Sequence, residues 1–128
     1  MQRQKLVACE GAALFGESHL LVGGEEILKG GHEKPHASIF TKACVAAAAD
    51  HPEGAPIACA EAIHVGDSLK SDIQGGINAG LAATVWINAA GKPPLPAAAG
   101  TPQPTFTCAL VTELEAIIRE HFQTPKPL

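Results

Sequence analysis

Three short apolar runs set the limits on what this chain can fold into: His19-Leu20-Leu21-Val22, Ala62-Ile63-His64-Val65 and Ala83-Thr84-Val85-Trp86-Ile87. The first closes on Gly23-Gly24, the second on Gly66, and the third is rich in β-branched residues. Runs of this length bounded by turn residues read as buried strands. Helical patterns separate them, so no hairpin can join one to the next. Strands joined by helical crossovers make a parallel sheet, and the expected class is α/β.

The connecting segments carry their own signals. Residues 3–13 read as a helix with a short apolar face formed by Leu6, Val7 and alanines. Residues 24–34 read as a polar, glycine-bearing loop, and Pro35 suits the first position of a helix. Ile39, Phe40, Ala43, Cys44 and Ala47 recur at helical spacing, which predicts an amphipathic helix over 36–49. A further helix is expected from about Ser71 to Ala79, with Gly80 as its C-terminal cap. Residues 89–104 are dense in Pro, Gly and Ala and read as a loop. Residues 105–109 suit a small edge strand. Thr112 and Glu115 have capping-box spacing and open a last helix through about Phe122. One domain over 1–122 and a frayed tail over 123–128 follow.

Composition excludes several partners. The formal charge is −4 and there is no basic run, which argues against nucleic acid and anionic membrane. No apolar stretch approaches the roughly 20 residues needed to cross a bilayer, and the N-terminus carries no clear signal peptide. A cytoplasmic chain is expected. Apolar residues make up 46%, but much of that is alanine, so a shallow core is expected. Cys9, Cys44, Cys59 and Cys108 match no zinc spacing and read as reduced, mostly buried thiols. His32 and His36 flank Pro35 and read as surface histidines rather than metal ligands.

Chemistry concentrates at Val65-Gly66-Asp67-Ser68-Leu69-Lys70-Ser71-Asp72. A buried strand ends, a glycine permits a sharp turn, and an acid follows at once. Ligands of open α/β sheets collect at the carboxyl ends of strands. Asp72 falls near the first turn of the next helix and can fold back towards Asp67. Two such carboxylates suit Mg²⁺ together with water and a phosphate. Exposed N–H groups over 68–71 add partial positive charge. The same residues are also compatible with a plain turn aspartate and a favourable helix-N-terminal charge. Lys34, held by Pro35, is a placed cation able to neutralise phosphate, although most loop lysines are simply solvated.

The combination is more specific than its parts. Lys34-Pro35, then a helix, an apolar strand and Gly66-Asp67-x-x-x-x-Asp72, resembles motifs III and IV of the haloacid dehalogenase superfamily. Longer strings, Asp72-Ile73-Gln74-Gly75-Gly76 and Thr84-Val85-Trp86-Ile87-Asn88, resemble its N-acylneuraminate-9-phosphatase family. The resemblance covers roughly residues 3–122 and implies a Rossmann-like parallel core. It also implies a Mg²⁺-dependent phosphatase acting on a phosphorylated sugar acid. By resemblance Asp67 binds the metal, Asp72 supports it, and Lys34 holds the phosphate and orients the nucleophile.

The chain departs from that pattern at one decisive place. It holds only three aspartates, Asp50, Asp67 and Asp72, and no Asp-x-Asp nucleophile pair. The phosphate-binding hydroxyl of motif II has no counterpart either. The expectation is an incomplete core without a cap domain, beginning after those motifs. Its Mg²⁺ site would be weakened, its catalysis absent, and the sheet edge beside Ile63–Val65 free to pair with another chain. A phosphate-accepting receiver domain fails for the same reason, since no strand-end aspartate remains to accept the phosphoryl group.

Overall fold

The computed structural model describes residues 2–51, 53–93 and 100–122. The expected tail over 123–128 and part of the 89–104 loop lie outside the described residues. Six helices and three strands follow in the order α1 (Gln2–Ala8), α2 (Gly11–Phe15), α3 (Gly23–Leu28), α4 (Ser38–Ala48), β1 (Ile63–Gly66), α5 (Gln74–Asn78), β2 (Ala83–Ile87), β3 (Phe106–Cys108) and α6 (Leu114–His121) among the described residues. The strands form one parallel sheet ordered β1-β2-β3. Ile63 lies opposite Ala83, and Val85 opposite Phe106. A crossover through α5 joins β1 to β2, and β3 also runs parallel to β2. The α/β expectation therefore holds, with β2 as the central strand.

The sheet is short, and its core is built around few large side chains. Ile73 and Val85 are the largest fully buried ones. Val22, Ile39, Phe40, Cys44, Ala83, Trp86 and Cys108 complete it among the described residues. Close packing is bought by glycine: a Cβ on Gly76 would stand 2.4 Å from Thr84 Cγ2, and one on Gly75 would stand 2.6 Å from Phe40 Cε2. These two positions let α5 lie directly on β2 and α4. Gly80 then ends the helix at φ 68°, the left-handed cap expected there. Truncating Ile73 to Ala should leave a cavity under β2 and lower stability by about 2–5 kcal/mol in urea unfolding. A loss below 1 kcal/mol would mean the region collapses to fill it.

Several local expectations need correction. The helix expected over 3–13 is two helices, broken where Glu10 takes φ 56° and Gly11 packs against Leu6. Leu20–Val22 is extended but joins no ladder among the described residues. Val22 instead turns its carbonyl into α3, accepting the N–H groups of Glu25 and Glu26 at 3.0 Å. The 24–34 loop thus contains a helix. Two acids in its first turn favour the helix dipole, and buried Glu26 is paired with Lys42. Arg3 ties α1 to this region through Glu25 at 2.7 Å and Glu17 at 2.6 Å. Helix α4 begins at Ser38, so Pro35 sits in the preceding turn, and the Ser38 N–H donates to His36 Nδ1 at 3.1 Å. His32 and His36 stack face to face in that turn. The last helix is entered through a 3₁₀ turn at Val111–Glu113, and Glu113, rather than Thr112 with Glu115, accepts the N–H groups of Ala109 and Leu110 at 2.7 Å. Cys9 is exposed, contrary to the expected burial, while Cys44 and Cys108 are buried.

Candidate active site

β1 delivers Asp67 to the carboxyl end of the sheet. The turn that follows is not a plain α-helix start. Leu69–Ile73 form a single π-type turn, entered from Ser68, whose hydroxyl accepts the Ser71 N–H at 3.2 Å. The wider turn swings Asp72 back over the end of β1. Its carboxylate lies so close to Gly66 that a Cβ there would stand 2.2 Å from Asp72 Cγ. Glycine at 66 is a steric requirement of this fold-back.

Asp72 is 4% exposed, and both its oxygens are engaged. Oδ2 accepts the Ser68 N–H at 3.0 Å. Oδ1 accepts from His64 Nε2 at 3.1 Å and pairs with Lys34 Nζ. An ionised carboxylate only accepts, so His64 carries its proton on Nε2. Burial pushes the Asp72 pKa up, but the His64, Lys34 and Ser68 donors together outweigh it and hold the carboxyl far below the usual range. Asp72 is therefore a fixed anion at neutral pH. Phe40 from α4 meets the His64 ring edge to face at 4.8 Å between centroids.

Asp67 differs. Its residue is exposed, and its carbonyl accepts the Trp86 indole N–H at 3.1 Å. The turn is thereby pinned to β2 while the carboxylate faces outward. Lys34, Asp67, Ser68, Ser71 and Asp72 line one cavity of about 560 Å³. The structure thus brings together the three residues singled out in sequence, Lys34, Asp67 and Asp72. Asp50 stands apart at the end of α4, paired with His19. Sequence reasoning missed His64 and the Trp86 contact. A lone histidine inside an apolar strand, two residues before the glycine and on its face, was the available signal for the first.

The donor set bears on a metal. Asp67 offers exposed hard oxygens, whereas both Asp72 oxygens already accept hydrogen bonds. No group of three or more His, Cys, Asp or Glu is arranged to hold a metal among the described residues. Mg²⁺ commonly takes one or two carboxylates, with water and phosphate filling the rest. The residues present fit one arm of such a site. No described helix is long and apolar enough to cross a membrane.

Comparison with known proteins points the same way. A family model described as HAD-hydrolase-like matches residues 32–114. N-acylneuraminate-9-phosphatase of Mus musculus is 37% identical over 118 residues, which is 92% of this chain and 41% of the relative. The Homo sapiens protein of that name is 38% identical over the same shares. Pyrimidine 5'-nucleotidase YjjG of Escherichia coli strain K12 is 38% identical over 80% of this chain and 39% of the relative. The chain spans about two fifths of the length of these relatives. Among solved structures, the HAD-hydrolase YfnB of Bacillus subtilis bound to magnesium superposes with a TM-score of 0.53 at 29% identity. That likeness covers 73% of this chain and 35% of the other.

Proposed function

The chain belongs to the haloacid dehalogenase-like hydrolase family, and on that premise we propose that it forms the lysine and carboxylate arm of a phosphatase site. The substrate class is a phosphorylated sugar acid, N-acylneuraminate 9-phosphate by kinship with the mammalian relatives. The observation that carries this reading is the convergence of Lys34, Asp67 and Asp72 on one cavity at the end of β1.

Each residue has a distinct part. Lys34 presents a cation to the phosphate, and Asp72 holds it in place. Asp72 also locks the Gly66–Ser68 turn, which aims Asp67 outward. Asp67 would hold Mg²⁺, which when bound supplies charge neutralisation to phosphoryl oxygens. The 128 residues contain no Asp-x-Asp, so they supply no attacking carboxylate. This arm binds and positions, and the chain alone does not turn over substrate. Its four free cysteines accord with a reducing, cytoplasmic setting.

Trp86 is the only tryptophan, and its indole touches the Asp67 turn, so its emission reports on the site. Titrating Mg²⁺ in the presence of inorganic phosphate should give a saturable change in that emission. Asp67→Ala should abolish it, and Lys34→Ala should weaken phosphate about tenfold. No phosphate should be released from N-acylneuraminate 9-phosphate. Mg²⁺-dependent release that vanishes in Asp67→Ala would overturn the division of labour proposed above.

A second reading rests on the sheet. β1 pairs with β2 on one side and with no strand on the other among the described residues. That edge suits a strand from another chain, such as a homologue carrying the Asp-x-Asp pair. Co-elution of the two chains in size-exclusion chromatography supports this pairing, and separate elution rules it out.

A further inference from the structure

Two thiols lie in contact outside the cavity. Cys44 Sγ in α4 and Cys59 Sγ, in the 3₁₀ turn that feeds β1, are 3.8 Å apart. The two residues are fifteen positions apart in sequence. Cys44 is buried, and its burial pushes its thiol pKa up, whereas Cys59 is half-exposed. The remaining cysteines are placed elsewhere, Cys9 exposed on the α1–α2 link and Cys108 buried in β3.

We propose that Cys44 and Cys59 are a reversible disulfide site, closed by a peroxide-class oxidant. A disulfide needs its sulfurs at about 2.05 Å, so the contact must close by roughly 1.8 Å. Cys59 is the half-exposed partner, so the movement falls to its side chain rather than to buried Cys44 in α4. The steps balance. The Cys59 thiolate attacks a peroxide oxygen, the O–O bond breaks, and a sulfenic acid forms with release of water or alcohol. The Cys44 sulfur then displaces the hydroxyl from Cys59, forming the S–S bond and releasing a second water. Two thiols are oxidised and one peroxide is reduced. A thiol such as glutathione or dithiothreitol reverses the reaction by exchange.

The position of the pair gives the link a consequence. Helix α4 follows the turn that carries Lys34, and the Cys59 turn leads into β1, at whose end Asp67 stands. A bond between them ties the segment after Lys34 covalently to the segment before Asp67. The inference does not depend on the proposed phosphatase role, because the sulfur contact stands whatever the cavity binds.

The experiment uses the full 128-residue chain. Treatment with hydrogen peroxide near stoichiometry, then non-reducing peptide mapping, should find Cys44 joined to Cys59 within one chain. Free thiols should fall from four to two and return to four with dithiothreitol. The melting temperature should rise by roughly 10 °C on closure of a loop of this length. Cys44→Ala should abolish the link and leave Cys59 to be overoxidised or capped by glutathione. Overoxidation of Cys59 in the unsubstituted chain overturns the proposal, as does a link through Cys9 or an intermolecular dimer.

Discussion

Gly66→Ala should lower stability by about 3 kcal/mol or more, seen as a fall in melting temperature of about 10 °C or more. The added Cβ would stand 2.2 Å from Asp72 Cγ, 2.3 Å from Oδ2 and 2.5 Å from Cβ. None of these atoms is free to yield. Asp72 is held on three sides by Lys34, His64 and the Ser68 N–H, and its neighbour Ile73 is fully buried. Relief therefore requires either losing the carboxylate's partners or pushing the π-type turn off β1. Gly24→Ala is the control. It places its Cβ in open space at the start of α3, where alanine is the better helix former. That variant should change stability by no more than about 1 kcal/mol, on the stabilising side. Equal behaviour of the two variants would show that the fold-back of Asp72 is not what position 66 protects. Because Trp86 donates to the Asp67 carbonyl, its emission should shift in Gly66→Ala even in the folded baseline.

Legibility in the sequence followed how local the deciding interaction is. Helix α4 shows as a stripe of Ile39, Phe40, Ala43, Cys44 and Ala47, and three of these are buried in the structure. Strand β2 shows as an apolar run because both faces of a central parallel strand are covered, and β1, at the sheet edge, keeps the same apolar pattern with only half-buried residues. Leu20–Val22 has the same appearance but no neighbouring strand to pair with among the described residues, and pairing is a non-local fact. Helix α3 was hidden by Gly23-Gly24, which read as a stop. Gly23 is needed instead because a Cβ there would meet Glu33 Cβ at 2.8 Å. At the site, residue types and spacing marked Lys34, Asp67 and Asp72 as candidates, and only the resemblance to the haloacid dehalogenase motifs gave them a shared role. Their unequal environments were not legible. No spacing rule says that Asp72 would be saturated by a lysine 38 residues away and by a strand histidine, while Asp67 stays free.

That inequality predicts how the ion pair responds to being dismantled. The Lys34 side chain is 37% exposed and can turn to water when its partner goes, whereas the Asp72 side chain is 5% exposed and cannot. Lys34→Ala should therefore cost about 2–3 kcal/mol in the native background, since a buried carboxylate is left with two donors instead of three. In an Asp72→Asn background the same change should cost less than about 1 kcal/mol, because no buried charge is stranded. The coupling of about 1.5–2 kcal/mol is read from the four urea midpoints of the cycle. The acid limb should move as well. In the native chain the Asp72 pKa is lowered from 3.8, so its contribution is complete above that value and fades only as pH falls below it. Without Lys34, the push of burial is less opposed and the carboxyl takes up its proton at higher pH. Acid unfolding followed by Trp86 emission should then begin at higher pH in Lys34→Ala than in the native chain. In Asp72→Asn it should show no further dependence on residue 34. An unchanged acid limb in Lys34→Ala would mean that His64 and the Ser68 N–H hold the anion without the lysine. Lys34 would then be free to spend its whole charge on a bound phosphate.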